Sequence, residues 1–306
     1  MARLRTPALF LTALGLVSGC GDALSPAWRI EAFRIFGARI ENTTRGGEPS
    51  VSEVAPGESV RIRLFTGDAS AMPSPPTVMW VFCPQTQRTG LSVGCSPATA
   101  IVQMGAEINL VVPTAEYSRD PQNRARLQGI AIACANGTIG FDPQTMFPRC
   151  EGPGSTGWTM TRSLIVRLDE TVPANRNPQL RRAMFVDGSA ETELDPATPV
   201  RVPRCAADPC PTRTVRLEVS AETREIYETF NNAGDRIMQP ERIVFGFFTD
   251  KGTLSSAFRT DTAERPMGPI QNTWTVPREP GTVRFVFTAQ DPRGGFDLVE
   301  RTVVVE

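Results

Sequence analysis

Apolar residues recur along this chain mostly with a period of two, in short runs closed by turn chemistry, and that pattern predicts strands. After the turn Ala55-Pro56-Gly57-Glu58-Ser59, Val60, Ile62 and Leu64 alternate with Arg61 and Arg63, as in a strand with one buried face. Thr77 to Cys83 is apolar on both phases, which predicts a strand covered on both sides. Ile108, Leu110 and Val112 alternate up to Pro113, and Leu127–Cys134 and Leu164–Leu168 supply two further strands. Arg29 to Glu41 carries both periods: Ile30, Phe33, Phe36 and Ile40 suit a helix, Phe33 and Ile35 a strand, and the strand is favoured.

The second half repeats this order. Val200 and Val202, then Val215, Leu217 and Val219, alternate, and Ile243–Phe248 matches the doubly apolar Trp80 strand. Asn272–Pro277 corresponds to Asn109–Pro113, Thr282–Ala289 to Leu127–Cys134, and Arg301–Val305 to Leu164–Leu168. The offset between matched elements drifts, so these are two diverged copies with different loops and not a short-period solenoid. Many short strands with turns between them predict an all-β chain of two antiparallel β-sandwiches, with Trp80 in the first core. The Pro/Asn-rich stretch Val172–Pro178 marks the boundary. One helical candidate is Ser220–Phe230, with Ser220 as cap and Ile226 and Phe230 on one face, unless it extends the preceding strand.

The N-terminus reads as an address. Arg3 and Arg5 precede the apolar run Pro7–Val17, which is too short to span a bilayer. The end of that run, Val17-Ser18-Gly19-Cys20, resembles the lipobox of bacterial lipoproteins. The resemblance implies cleavage before Cys20 and acylation of its thiol, and two or more acyl chains give stable anchoring. Glycine, not aspartate, follows Cys20, which in a Gram-negative cell favours the outer membrane, on either its periplasmic face or the cell surface. The expected divisions are a lipoprotein signal peptide at 1–19, a tether at 20–28, and domains at 29–172 and 173–306.

Composition removes much chemistry. The chain has 7 cysteines and no histidine, so there is no imidazole metal ligand and no Ser/His/Asp or Cys/His nucleophile. Lys+Arg 32 against Asp+Glu 33, with no basic patch, leaves no footprint for nucleic acid. Lys251 is the sole lysine, which reads as codon bias. With Cys20 assigned to lipid, Cys83, Cys95, Cys134, Cys150, Cys205 and Cys210 form an even set in an exported protein, which predicts three disulfides. Local pairing, Cys83–Cys95, Cys134–Cys150 and Cys205–Cys210, is favoured over Cys83–Cys134 with Cys95–Cys150. Zinc is the rival use of these thiols, but no CxxC pair exists and the compartment is oxidising. No metal and no other cofactor is expected.

Candidate catalytic groups are few. Glu218, Glu222, Glu225 and Glu228 form the densest carboxylate set, and Glu222 with Glu225 suits an acid/base pair for glycoside cleavage if helical. Arg216 and Arg224 interleave with them, which favours a solvated ion-pair face. Lys251 with Ser255 or Ser256 fits a Ser/Lys dyad only if the lysine is buried and neutral, whereas Asp250-Lys251-Gly252 reads as a hairpin turn. Asp187, Asp250, Asp291 and Asp297 suit calcium if loops gather them at one end of a sandwich, though aspartates serving turns are the plainer reading. Asn42-Thr43-Thr44 and Asn136-Gly137-Thr138 match the glycosylation triplet, a frequent chance match.

A wider resemblance rests on Val54-Ala55-Pro56-Gly57-Glu58-Ser59-Val60, Trp274-Thr275-Val276-Pro277, Pro280-Gly281-Thr282-Val283, and Asp291-Pro292-Arg293-Gly294-Gly295-Phe296-Asp297 before a closing valine strand. These resemble surface lipoproteins of myxobacteria and their relatives, built from tandem Ig-like domains, over most of the chain. The resemblance implies two Ig-like sandwiches and assigns no activity. The sequence reading is therefore a non-enzymatic, lipid-anchored envelope protein whose Ig-like domains bind a protein or polysaccharide, as adhesion module or scaffold. The alternatives are a carboxylate-dependent envelope glycan hydrolase and an accessory lipoprotein of a secretion or transport complex.

Overall fold

A computed structural model describes residues 26–47, 50–69, 74–84, 86–89, 92–95, 99–114, 117, 125–142, 148–168, 173–220, 223–231, 233–260 and 270–306; for 86–89, 92–95 and 230 only the backbone is described. The signal segment and Cys20, Glu222 and the side chain of Cys95 lie outside the described residues.

The first half builds β1 (Arg34–Asn42), β2 (Ser59–Gly67), β3 (Thr77–Cys83), β4 (Thr86–Thr89), β5 (Ser92–Cys95), β6 (Ile101–Met104), β7 (Glu107–Val111), β8 (Ala125–Ala135), β9 (Thr138–Phe141), β10 (Pro148–Glu151) and β11 (Thr156–Val166). The second builds β12 (Leu180–Asp187), β13 (Ala190–Glu193), β14 (Val200–Val202), β15 (Thr212–Val219), β16 (Ile226–Phe230), β17 (Arg236–Pro240), β18 (Val244–Thr249), β19 (Thr253–Leu254), β20 (Phe258–Thr260), β21 (Ile270–Thr275), β22 (Gly281–Gln290) and β23 (Phe296–Val305). In the first sandwich, sheet β1-β2-β7 faces sheet β11-β8-β3-β6. In the second, β13-β12-β15-β21-β19 faces β14-β23-β22-β18-β20. With β12, β15, β21 and β19 as strands A, B, E and D, and β18, β22 and β23 as C, F and G, this is immunoglobulin connectivity. The first sandwich repeats its A-B-E and G-F-C parts, so both halves are Ig-like β-sandwiches.

The period-two pattern explains the layers. Val60, Ile62 and Leu64 of β2 are buried between the sheets while Arg61 and Arg63 point outward. Trp80 and Phe82 stack in the first core, and Trp274, Phe285 and Phe185 in the second. The doubly apolar strands need a second cover, and each has a different one. Met79 on the outer face of β3 lies in a small cluster with Ile132, Ile139 and the Cys134–Cys150 disulfide, contributed by the β9–β10 hairpin. Phe248 on the outer face of β18 lies under Ile30 and Phe36, because the N-terminal segment crosses the second sandwich before entering the first. Ile30 N–H donates to Thr249 O at 2.9 Å and Thr249 N–H returns to Trp28 O at 3.0 Å.

Two local expectations fail. The helix over Ser220–Phe230 does not form: Ile226–Phe230 is strand β16, paired in a hairpin with β17. Ile226, Tyr227 and Thr229 favour extended backbone, and Asn231 closes the turn by accepting Ala233 N–H and Asp235 N–H. Asp250-Lys251-Gly252 is a turn, but it passes from β18 in one sheet to β19 in the facing one and is not a hairpin. Gly252 is required there: φ is +75°, and a Cβ would sit 2.3 Å from Trp274 Nε1. The disulfides are local, Cys134–Cys150 and Cys205–Cys210, so the Cys83–Cys134 alternative is excluded. Cys83 is also disulfide-bonded.

Candidate functional site at the junction of the sandwiches

Polar residues are buried where the two sandwiches meet. Four pieces of chain converge: residues 50–55 after β1, residues 173–180 between β11 and β12, the Asp291–Gly295 turn between β22 and β23, and the base of the β16–β17 hairpin. Residues 50–52 and 175–177 form a short antiparallel ladder, with Ser52 N–H donating to Asn175 O at 2.9 Å and Asn177 N–H to Ser50 O at 2.8 Å.

Asn177 is 1% exposed, and its amide ties the halves directly. Its Nδ2 donates to Ile40 O at 2.7 Å and to Ser50 Oγ at 3.0 Å, and its Oδ1 accepts Phe296 N–H at 2.9 Å. Asn175, 0% exposed, donates through Nδ2 to Ser52 Oγ and Asp291 Oδ2, and through its backbone N–H to Glu53 Oε2. Asp297 accepts Leu180 N–H at 2.7 Å and pairs with Arg39 at 2.9 Å. Phe296 completes the seam, with its ring so close to Gly37 that a Cβ there would overlap it at 2.3 Å.

Arg293 is the hub. Its Nε is 2.8 Å from Glu241 Oε1, its NH2 bonds Glu225, its NH1 is 3.9 Å from Glu53, and its guanidinium lies 4.7 Å from the Tyr227 ring centroid. Asp291 folds the turn by accepting the N–H groups of Arg293 and Gly295, each at 2.8 Å. Arg162 donates to Gly294 O from the first sandwich. Burial pushes the carboxyls of Glu53, Glu225, Asp291 and Asp297 above their ordinary values. Glu241 goes up to about 8, through burial first and the Asp291 charge second. Burial opposes the Arg293 charge, but Glu241, Glu53 and Glu225 outweigh it and hold the guanidinium more firmly protonated.

Glu225 and Glu241 are the two ends of the hairpin base, and Glu241 N–H donates to Glu225 O at 2.8 Å. The buried hub therefore fastens β16–β17, which carries Ile226 at 69% and Met238 at 65% exposure. The register puts Ile226 opposite Pro240 and Met238 opposite Glu228 on one face. A two-stranded ribbon is marginal by itself, so the clamp at its base matters.

The residues singled out from sequence fall in several places. Glu218 lies in an exposed ion-pair lattice with Arg182 and Arg216, Glu228 pairs with Arg236, and Glu225 reaches the junction, while Glu222, its partner in the expected acid/base pair, lies outside the described residues. Ser255 Oγ donates to Asn272 Oδ1 at 2.5 Å and Ser256 Oγ to Phe258 O, so neither hydroxyl is directed at Lys251. The calcium grouping fails on register: Asp291 and Asp297 sit at the junction end, while Asp250, past the far end of β18, accepts Arg284 N–H and Asp187 pairs with Arg213. Asn42 is buried and bonded to Glu58 and Glu53 O, which removes it as a glycan acceptor, while Asn136 occupies a turn at φ +55°. Sequence reading missed Glu53, Asn175, Asn177, Glu241 and Arg293. Its usable signal was the Asn175/Asn177 alternation, which puts both side chains on one face of extended chain.

No family model and no curated protein matches the chain. Among solved structures it is similar to the fibronectin(III)-like modules of Clostridium thermocellum CbhA, at 10% identity over 89% of this chain and 92% of that one, with a TM-score of 0.25. It is also similar to the two tandem V-type regions of VCBP3, a v-region-containing chitin-binding protein, at 11% identity over 88% and 99%, with a TM-score of 0.26. Dimeric latent PorU from Porphyromonas gingivalis matches at 9% identity over 90% of this chain and 34% of that one, with a TM-score of 0.22. The class of protein is set by the strand order: a tandem Ig-like β-sandwich chain, disulfide-bonded and so suited to an oxidising, extracytoplasmic compartment. Among the described residues, no helix is long and apolar enough to cross a membrane.

Proposed function

We propose that this chain is a non-enzymatic, lipid-anchored protein of the outer membrane whose two sandwiches, joined as one unit, present the β16–β17 hairpin to a protein partner in the envelope. The observation that carries the reading is that hairpin, with Ile226 and Met238 exposed and its base fastened to the buried Arg293 hub. Aliphatic side chains on a strand edge suit another protein, by packing and by strand addition. An aromatic ligand platform suits sugar instead, and Trp158 at 45% and Phe141 at 53% exposure on the first sandwich favour polysaccharide binding as the second reading. A hydrolase is disfavoured because Glu218, Glu225 and Glu228 each have an arginine partner. An accessory role in a secretion or transport complex would be a special case of protein binding.

Two experiments test this. The acylated full chain, captured from detergent-solubilised envelopes, retains a co-purifying protein, and Ile226→Ser with Met238→Ser reduces that protein at least tenfold while leaving the thermal midpoint unchanged. Undiminished capture by the double variant overturns the hairpin as the contact. Labelled palmitate is incorporated by the wild type and lost in Cys20→Ser; label retained in that variant overturns the anchor.

A further inference from the structure

The hub gathers four carboxyls around Arg293, and one of them has an oxygen that no donor among the described residues reaches. Arg293 faces Glu53, Glu225 and Glu241 together, with Asp291 holding the same turn. The other cations acting on this group are Arg162 and Arg167 from the first sandwich and Arg176 from the connecting segment, whose charges bear on Asp291, Glu53 and Glu225. Tyr227 lies under Arg293 and adds no counter-charge. The Glu241 side chain is 0% exposed. Its Oε1 accepts from Arg293, while its Oε2 receives no hydrogen bond among the described residues, and neither does Asn175 Oδ1 in the same cluster. An ionised oxygen buried without a donor is costly. A proton there removes the charge and turns the orphan acceptor into a donor.

We propose that this cluster is an acid-tightened latch: a proton on Glu241 closes the hairpin base onto the Asp291–Gly295 turn and the first sandwich, and its loss loosens the hairpin. The sign follows from linkage. The closed form holds the proton up to about pH 8, since burial and then Asp291 raise the Glu241 carboxyl, whereas an opened, hydrated Glu241 releases it in the ordinary carboxylate range. Opening therefore becomes easier as pH rises from that range, by up to about tenfold per unit for one proton, and levels off above about pH 8. Burial also raises Glu53, Glu225 and Asp291, which adds slope in the same direction. This opposes the usual loss of stability toward acid.

The latch does not depend on what the hairpin binds, and its test contains no ligand. Amide exchange of the full chain is followed from pH 5 to 9 at constant ionic strength, corrected for intrinsic rates, at the Glu241 amide and along β16–β17. Protection in the wild type falls at least tenfold between pH 5 and 8 and is flat from 8 to 9, while Glu241→Gln, which keeps only the slope of Glu53, Glu225 and Asp291, falls at least threefold less. Protection that is flat or rises with pH in the wild type, or a fall in Glu241→Gln as steep as that of the wild type, overturns the latch. If Glu241→Gln lacks a folded near-ultraviolet spectrum at pH 6, Asp291→Asn serves: removing the neighbouring charge makes protection level off at a lower pH, and an unmoved plateau overturns the proposal.

Discussion

Arg293→Met lowers the unfolding free energy by about 3–5 kcal/mol at pH 7, read from urea denaturation. The substitution keeps the aliphatic stem over Tyr227 and deletes the one cation that touches Glu53, Glu225 and Glu241 at once. With the latch closed and Glu241 neutral, the charges that lose their cation are Glu225 and Glu53, the latter keeping only Arg167 at 3.9 Å among the described residues, and a buried charge deprived of its partner costs more than the net value of the pair that held it. The loss shrinks toward pH 5, because Glu53 and Glu225, whose carboxyls burial has raised, take up protons and become neutral. A change of less than about 1 kcal/mol would mean the hub is hydrated like a surface ion pair.

Asn177→Leu costs about 2–4 kcal/mol in the same measurement, because it strands Phe296 N–H and the carbonyl of Ile40 in a dry seam. The comparison is with Ser189→Ala in the exposed β12–β13 turn, where the change stays within about 0.5 kcal/mol. A residue in a free linker would behave like Ser189. The Asn177 result therefore reports directly whether the two sandwiches are one cooperative unit, and a single unfolding transition in the wild type that splits in the variant is the accompanying expectation.

The junction is polar where an apolar seam would have held as well. Replacing such networks by hydrophobic residues is often neutral in stability, so what the network supplies here is orientation: each amide and carboxylate accepts only one arrangement of the neighbouring backbone. Phe296 against Gly37, and Phe36 against Phe248, add apolar contact without specifying a direction.

Particular elements show how far the sequence could be read. The β2 alternation, the doubly apolar β3 and β18, and the repeated order of strands were legible because each depends on side-chain periodicity across a local pleat. The short disulfides were legible because close spacing around a turn limits the alternatives. The β16 strand is left open in the sequence between a helix and an extension of the preceding strand, because its five residues match both periods and its partner β17 comes only after a turn. Strand β12 was not recognised because Arg181-Arg182-Ala183-Met184-Phe185-Val186 lacks clean alternation, with Met184 buried on the second face.

The Pro/Asn-rich stretch between β11 and β12 shows the boundary most sharply. By composition it is a connection, and it does join the two sandwiches; by burial, Asn175 and Asn177 are among the most enclosed side chains of the molecule. Sequence alone determined the class of fold, the duplicated strand order and the chemistry that no histidine-free chain can perform. Only the tertiary structure decided that Glu53, Glu241 and Arg293 meet, because the fold of the second sandwich brings Glu241 to Arg293 and the docking of the first brings Glu53. A charge reveals its environment only once those surfaces exclude water from it.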